Sequence, residues 1–202
     1  MTKAELFLTS LEEFLSLEEP MRQAAFWRQE VAAKFRDLSE SIAPAALPVL
    51  QITPNRRCPR SEPIWWLACL VPEISPNVQS GVYPLLLFDP PSRTLFNGLA
   101  VAWNQFGRRY PPKRALALNL HVQQTLCAAL SRPVRPDLIR LSSSTPFARI
   151  LEKVVFDSIS LPLDETSPVL VCTELAKTFT AYAEVIEKVD ISATIASAGR
   201  YS

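Results

Sequence analysis

Glycine and histidine are scarce in this chain of 202 residues, which contains only four glycines and one histidine. The sequence has no Gly-x-x-x-x-Gly-Lys-Ser/Thr loop and no Gly-x-Gly-x-x-Gly motif, so it carries neither a P-loop motor nor the usual dinucleotide fingerprint. It also lacks the His-Glu-x-x-His pattern of zinc proteases, and His121 is expected to be an ordinary helix residue. These absences exclude the enzyme classes that depend on those motifs.

Cysteine is also infrequent: the sequence contains four cysteines, and no two of them have Cys-x-x-Cys spacing. Without that spacing and without histidine partners, a zinc site or a Cys–His catalytic pair is not expected. Cys69, Cys127 and Cys172 lie in apolar sequence and are predicted to be small core residues. Cys58 lies among arginines and is interpreted as an unreactive loop thiol. We therefore predict neither a metal nor a cofactor.

Long hydrophobic runs are also missing, and no stretch approaches the roughly 20 apolar residues of a membrane helix. The glutamate-containing N-terminus does not resemble a signal peptide, so a cytoplasmic protein without membrane contact is predicted. The net charge is +1 and 48% of the residues are hydrophobic, which is an ordinary globular composition. A balanced total charge still permits DNA binding, because local clusters of charge matter more than the total.

Three apolar runs at 64–71, 81–88 and 94–103 dominate the middle of the chain. They are short, rich in aromatic and β-branched residues, and separated by turn-forming sequence, which is typical of buried strands. Helical spacing of apolar residues precedes and follows them. We predict one α+β domain over 1–190, with a mixed, mostly antiparallel sheet packed by N-terminal and C-terminal helices. Residues 191–202 are predicted to be a flexible tail or the start of a linker.

Two basic segments adjoin the ends of the predicted strands, and both contain prolines. A solvated surface loop is the simplest interpretation of each. The planar fork of arginine also matches phosphate oxygens, so contact with a nucleic-acid backbone is the functional interpretation. The predicted backbone contacts are Arg56, Arg57 and Arg60 in the first segment and Arg108, Arg109, Lys113 and Arg114 in the second.

The order of motifs along the central region carries a resemblance to a known family. A tryptophan strand is followed by a Pro-Glu-Ile turn, a Gly-x-Tyr strand ending in Leu-Phe, and a strand closing in Asn-Gln. This order resembles the N-terminal DNA-binding domain of McrB-type methyl-directed restriction proteins. The segments that carry it are Trp65-Trp66-Leu67-Ala68, Val71-Pro72-Glu73-Ile74, Val78-Gln79-Ser80-Gly81-Val82-Tyr83-Pro84, Leu85 to Phe88, and Ala102 to Gly107.

The resemblance implies a reader of modified cytosine in double-stranded DNA, in which the modified base swings out of the duplex into a protein pocket. Carried over residue by residue, the pocket comprises Trp66, Tyr83 and Leu87, although each would equally suit a core position. The chain departs from the family in the loop before the tryptophan strand. That loop is arginine- and proline-rich here, without the family's glycines or stacking aromatic, so DNA binding and methyl specificity need not go together.

Two other classes of function remain open at this stage. The chain could be a protein-interaction adaptor of a defence complex, with DNA contact made by a partner. It could also be an enzyme of unrecognised type, and Asp89, Glu152 and Lys153 are the only residues that suggest a nuclease site. We predict that the chain is not an enzyme, and that any motor or nuclease activity belongs to another domain or a partner subunit.

Overall fold

The sheet has five antiparallel strands in the order β1-β2-β3-β4-β5, so every strand pairs with its neighbour in sequence. The computed structural model of the protein describes residues 1–55, 64–135 and 139–199. The strands are β1 (Gln51–Pro54), β2 (Trp65–Leu70), β3 (Val82–Asp89), β4 (Thr94–Val101) and β5 (Val155–Pro162).

Helices occupy both ends of the chain and the connection between β4 and β5. Among the described residues, none of these helices has both the length and the apolar composition that crossing a bilayer requires. Their bounds are α1 (Lys3–Ser16), α2 (Pro20–Phe26), α3 (Ala32–Ile42), α4 (Asn104–Gly107), α5 (Pro112–Ala129), α6 (Pro146–Val154), α7 (Pro168–Lys188) and α8 (Ile191–Ala198). One π-helical segment, Trp27–Val31, joins α2 to α3.

Capping side chains set the starts of the two helices that flank the sheet. At α1, the backbone N–H of Glu5 donates to the Thr2 hydroxyl at 3.2 Å, and the Glu5 carboxylate accepts from the Thr2 N–H at 2.6 Å. At α7, the Ser167 hydroxyl accepts from the N–H of Leu170 at 3.2 Å, and Pro168 occupies the first helical position. These signals are local, which is why the sequence predicts both helix starts.

One face of the sheet is covered by α1, α3 and α7. At its centre lies an aromatic core formed by Phe14, Trp27, Trp65 and Phe88, all 3% exposed or less. The ring centroids of Phe14 and Trp65 are 5.0 Å apart in an edge-to-face arrangement, and those of Trp27 and Phe88 are 6.1 Å apart and stacked. Such pairs add about 0.5–1.5 kcal/mol each to the burial of their area. We expect this aromatic core to be the most stable part of the sheet.

The opposite face is covered by α6 and by residues 139–141, which pack against one part of it. Two cavities that share Trp66, Val78 and Gln79 remain on this face beside that covering. This face therefore has concave surface to offer to a ligand, whereas the aromatic core on the other face is closed.

The observed architecture confirms the predicted fold class, a single α+β domain whose sheet is packed by N-terminal and C-terminal helices. The prediction for the end of the chain is wrong for Ile191–Ala198, which form α8 rather than a flexible tail. The Asp190 carboxylate caps this helix by accepting from the N–H of Ala193 at 2.9 Å, and Ile191 and Ala198 are buried. Small residues there allow α8 to pack closely on α5.

Candidate functional site

Strand alternation separates the two adjacent tryptophans of β2. Trp65 lies in the aromatic core and is 3% exposed, whereas Trp66 is half-buried on the opposite face. The carbonyl of Trp66 accepts from the indole nitrogen of Trp27 at 3.3 Å and from the N–H of Asn55 at 3.1 Å. The N–H of Trp66 donates to the side-chain oxygen of Asn55 at 3.3 Å. Its backbone is therefore fixed, and its indole is presented from a rigid strand.

The side chain of Trp66 forms one wall of a cavity of about 460 Å³, here called the aromatic cavity. Tyr83, Trp103 and Phe147 form further walls, and Phe147 is 40% exposed at its rim. Four aromatic side chains around one cavity suit a planar ligand, because rings stack on rings. The remaining lining residues are Val78, Gln79, Leu85, Ala100, Asn104, Ile150, Leu151 and Val154.

The polar groups of the aromatic cavity are neutral. Gln79 and Asn104 contribute carboxamides, and among the described residues that line the cavity none has a charged side chain. The Tyr83 hydroxyl donates to the carbonyl of Val78 at 2.9 Å, and burial raises the pKa of this phenol, which keeps it protonated. A neutral heterocycle with hydrogen-bonding edges is the ligand class that matches these walls.

Sequence reasoning placed three residues in the pocket, and the structure brings two of them together. Trp66 and Tyr83 both line the aromatic cavity. Leu87 pairs directly with Trp66 across the strands, yet it is completely buried and lies outside the cavity lining. Leu87 therefore supports the sheet beneath Trp66 and does not itself meet a ligand in the cavity.

Two lining aromatics, Trp103 and Phe147, were not predicted from the sequence. Trp103 lies just after β4, within the segment that carries the family resemblance, and this position could have identified it as a pocket residue. A side chain at Gly107 would place its Cβ 2.3 Å from the indole nitrogen of Trp103, so glycine is required for this close packing. Phe147 has no such signal, because only the packing of α6 on the sheet brings it to the cavity.

A larger cavity of about 830 Å³ adjoins the aromatic cavity and shares Gln79 and Asn104 with it. The exposed residues Arg108, Arg109 and Glu73 line it, and we call it the basic cavity because its two guanidinium groups outnumber the single carboxylate. Gln105 also lines it: its side-chain oxygen accepts from the N–H of Gly81 at 3.0 Å, while its amide nitrogen has no partner among the described residues. Cationic and donor groups therefore converge beside a cavity suited to a neutral ring.

The other predicted basic residues fall into two groups. Lys113 and Arg114 are exposed in the first turn of α5, and the Arg114 guanidinium lies over the Tyr110 ring at 4.7 Å from its centroid. Neither residue lines the basic cavity. Within the described ranges, Arg108, Arg109 and these two form no ion pair. The predicted contacts Arg56, Arg57 and Arg60 lie outside the described residues.

The connection between β2 and β3 crosses this face and is held rigidly. Gly81 has φ +86°, and a Cβ there would lie 2.1 Å from the Ser75 hydroxyl oxygen. That hydroxyl donates to the carbonyl of Val82 at 2.8 Å. Glycine is therefore needed at 81, both for its left-handed backbone and for the closeness of Ser75. The rigid connection fixes Val78 and Gln79 between the cavities.

The two acidic residues that suggested a nuclease site, Asp89 and Glu152, have structural roles, and Lys153 is exposed. The carboxylate of Asp89 accepts from the N–H of Ser142 at 2.8 Å, and that of Glu152 accepts from the N–H of Leu141 at 2.9 Å and pairs with Arg149. Both carboxylates thus hold the chain segment that covers the sheet. Across the described part of the chain, no three histidine, cysteine or acidic residues are grouped to hold a metal ion.

The described cysteines behave as packing residues. Cys69 is buried in the sheet, Cys127 and Cys172 are half-buried, and all three are free thiols. Burial raises the pKa of the Cys69 and Cys127 thiols, which disfavours the nucleophilic thiolate form. Cys58 lies outside the described residues.

No protein-family model and no curated protein matches this chain. The likeness to McrB-type N-terminal domains therefore stands on the motifs of the sequence, and the function has to be argued from the cavities and the charges around them.

Proposed function

We propose that this protein is a DNA-binding reader of modified, methylated cytosine that takes the base out of the duplex. The observation that carries the proposal is the half-buried indole of Trp66 at the aromatic cavity, directly beside the arginines of the basic cavity. A flipped base needs an aromatic wall, neutral polar groups for its pairing edge, and cations for the phosphates on either side. The described residues that line the two adjoining cavities include groups of all three kinds.

Stacking in the aromatic cavity would offset much of the cost of base flipping. Extruding a base costs a few kcal/mol of pairing and stacking. Stacking on an aromatic side chain returns roughly 1–3 kcal/mol per base, and the aromatic cavity offers Trp66, Tyr83, Trp103 and Phe147 for such contact. A methyl group on the base would add about 0.8 kcal/mol where it meets apolar walls such as Leu85 or Ile150. The cavity thus favours a methylated base over an unmodified one.

Binding to matched duplexes tests the proposal. Duplexes that differ only in one cytosine, 5-methylcytosine or 5-hydroxymethylcytosine would be titrated at several salt concentrations, with a base analogue that fluoresces when unstacked at the target position. We expect tighter binding to at least one modified duplex, together with a fluorescence rise at the target. Equal affinity for all three duplexes and no fluorescence change would contradict modified-base reading.

Replacing both Arg108 and Arg109 with alanine should weaken binding about equally on every duplex. Each lost phosphate contact lowers the slope of log affinity against log salt by roughly 0.9, so the slope should fall by nearly two units. The matched control is the double alanine variant of Arg22 and Arg28, which removes the same charge from α2 and the adjoining helical turn, outside both cavities. A salt slope that the Arg108/Arg109 variant leaves unchanged would argue against backbone contact in the basic cavity.

In this proposal the protein acts in the cytoplasm as the specificity module of a modification-dependent restriction or defence system. The motor and nuclease are supplied by another domain or by a partner subunit.

The competing adaptor function has one observation in its favour. Val49, which is 88% exposed, lies at an apolar groove of about 320 Å³ between α3 and β1. An adaptor would retain partner binding through that groove while failing the duplex titration.

A further inference from the structure

The two edge strands of the sheet, β1 and β5, are protected to different degrees. β5 contains Asp157, which has φ +48° beside a register irregularity and binds Arg132 and Arg135 of the preceding connection. Bulges, buried charges and covering segments keep edge strands from pairing with other chains. β1 is short and ends in Pro54, but residues 43–55 include no charged side chain, and within the described ranges no strand pairs with its outer side. β1 is therefore the edge open to strand addition.

The ladder between β1 and β2 shows which backbone groups of β1 point outward. The N–H of Asn55 donates to the carbonyl of Trp66 at 3.1 Å, in the same register as the rest of the two strands. Because these groups alternate in direction along an antiparallel strand, those of Gln51 also face β2, and those of Ile52 face away from it. Pro54 fits this alternation, since proline is tolerated where an N–H would point out of the sheet. The outer edge of β1 thus directs the backbone donor and acceptor of Ile52 away from the sheet.

We propose that two copies of this chain pair through β1, antiparallel and with Gln51 of one copy opposite Gln51 of the other. In this register Leu50 lies opposite Ile52, and Val49 lies opposite Thr53, on both sides of a two-fold axis. Each pairing joins like with like: two aliphatic residues, two β-branched residues, and two carboxamides that donate to and accept from each other. A shift by two residues in either direction would place a carboxamide opposite Val49. The side chains therefore select this register.

An exposed valine and the apolar groove beside it support a second copy as the occupant. Val49 is 88% exposed, and the groove of about 320 Å³ at which it lies is lined in part by Leu47, Leu50 and Ile52. Pairing of two copies covers the valine and the strand edge of both at once. Burying an aliphatic side chain of this size contributes roughly 1.5–3 kcal/mol, and a symmetric pair gains it twice.

The charges at the groove are also self-complementary. Arg36 and Glu40 are exposed, line the groove, and lie one helical turn apart on α3. Neither belongs to an ion pair within the described part of the chain. A two-fold axis reverses the direction of α3, so Arg36 of one copy comes opposite Glu40 of the other, and the contact occurs twice. A partner with charge of one sign would match only one of these two residues.

The proposed interface lies apart from the cavities assigned to the base and the phosphates. Residues 49–53 line neither the aromatic cavity nor the basic cavity. Pairing through β1 therefore does not depend on the proposed function, and a variant that blocks pairing should keep its preference for a modified duplex.

Charge reversal at the two-fold axis tests the pairing. Gln51 is exposed, so Gln51→Lys and Gln51→Glu should both fold, yet each sets two like charges face to face in the pair. Sedimentation velocity of the full chain over a wide concentration range should show a monomer–dimer equilibrium for wild type. Each variant should raise the dimer dissociation constant at least about tenfold. An equimolar mixture of the two variants should dimerise again, because lysine then meets glutamate.

The matched control is Gln124→Lys, the same substitution at an exposed position of α5, which should dimerise like wild type. A cysteine variant tests the register. Opposed residues that do not exchange hydrogen bonds have Cα atoms about 4.5 Å apart, which is within disulfide range. Gln51→Cys should therefore form a covalent dimer on mild oxidation, whereas Gln124→Cys and the wild-type chain with its native cysteines should not.

The possible results separate this inference from its alternatives. A wild-type chain that stays monomeric at every concentration overturns it, and binding of an extended apolar peptide at the groove would then identify a different occupant. A dimer that neither Gln51 variant weakens forms through another surface and also overturns it. Dimer loss that the equimolar mixture does not restore contradicts the facing of the two Gln51 side chains. Failure of wild type to distinguish modified from unmodified duplexes would overturn the proposed function and leave the dimer standing.

Discussion

Trp66→Ala is expected to lose its preference for modified DNA while remaining folded, and Trp65→Ala is expected to lose stability. The two residues are adjacent, yet Trp65 is 3% exposed in the aromatic core and Trp66 is half-buried at two cavities. Truncating a core aromatic costs about 3–5 kcal/mol of unfolding free energy. Removing a stacking indole costs roughly 1–3 kcal/mol of binding free energy for each base it contacts.

The informative comparison is between the two variants, in both unfolding free energy and duplex binding. Trp65 contacts Phe14 and Trp27, at centroid distances of 5.0 and 5.5 Å, so its removal opens a cavity between helices and sheet. The groups that fix Trp66 are bonded to its backbone, and they persist when its side chain is truncated. Urea unfolding and duplex binding should be measured on both variants in parallel.

Three results would change the interpretation of the tryptophan pair. If Trp66→Ala unfolds the domain while Trp65→Ala stays folded and loses discrimination, the functional face has been assigned to the wrong side of the sheet. If a folded Trp66→Ala variant discriminates as well as wild type, the aromatic cavity is not the base site. If both variants are destabilised equally, Trp66 is chiefly a packing residue.

Asp157→Ala is expected to lower the unfolding free energy by about 3–5 kcal/mol, the usual cost of breaking a buried ion pair from one side. Asp157 is 2% exposed in β5 and accepts a fork of two hydrogen bonds from Arg132. Its carboxylate also accepts from the backbone and side chain of Arg135, at 2.8 and 3.2 Å. Without that carboxylate, two guanidinium groups lose their shared partner in a largely buried site.

The surrounding contacts show why the loss would spread beyond one pair. Arg135 also donates to the carbonyl of Asp157 at 2.6 Å, to Thr178 at 2.7 Å and to Glu174 at 3.3 Å, which ties 131–135 to β5 and α7. Asp157 itself has φ +48°, beside an irregularity in the β4–β5 register. An alanine in that left-handed conformation is strained by roughly 1–2 kcal/mol.

Two control variants separate charge from backbone strain and from ion pairing in general. Asp157→Asn keeps a residue that tolerates positive φ, so it should recover part of the loss. Asp164→Ala removes one partner of Arg93 in an exposed ion pair, where the expected effect is below about 1 kcal/mol. Chemical denaturation of the three variants measures these differences. Equal, small losses for Asp157→Ala and Asp164→Ala would show that the buried network contributes little.

The features of this protein that could be predicted from the sequence are those set by residues close to one another along the chain. The apolar runs around Trp65, Tyr83 and Leu99 predicted three adjacent strands, because short runs of that composition between turn signals are typical of buried strands. The alternation of side chains along a strand is also local, and it places Trp65 and Trp66 of β2 on opposite faces of the sheet. The caps at Thr2 and Ser167 predicted two helix starts. These features depend on neighbours in sequence, so the sequence contains them.

The predictions that failed or fell short depended on contacts between distant segments. Leu87 has the right strand and the right face, but burial by residues from other elements removes it from the cavity. The segment at Ile191 was predicted to be a tail because its residues are small, and its packing on α5, together with the Asp190 cap, explains why it is helical. The spacing of residues along the chain does not show which distant segment covers a given face of a strand or helix.

The sequence by itself determined the sheet, the two faces of β2 and the presence of basic segments near the strand ends. Only the tertiary structure decided that Phe147 of α6 and Trp103 after β4 complete a cavity with Trp66 and Tyr83, and that a second cavity lies behind the same indole. The physical reason is that strands follow from local hydrophobic pattern, whereas a cavity is what remains where distant elements meet without filling the space between them.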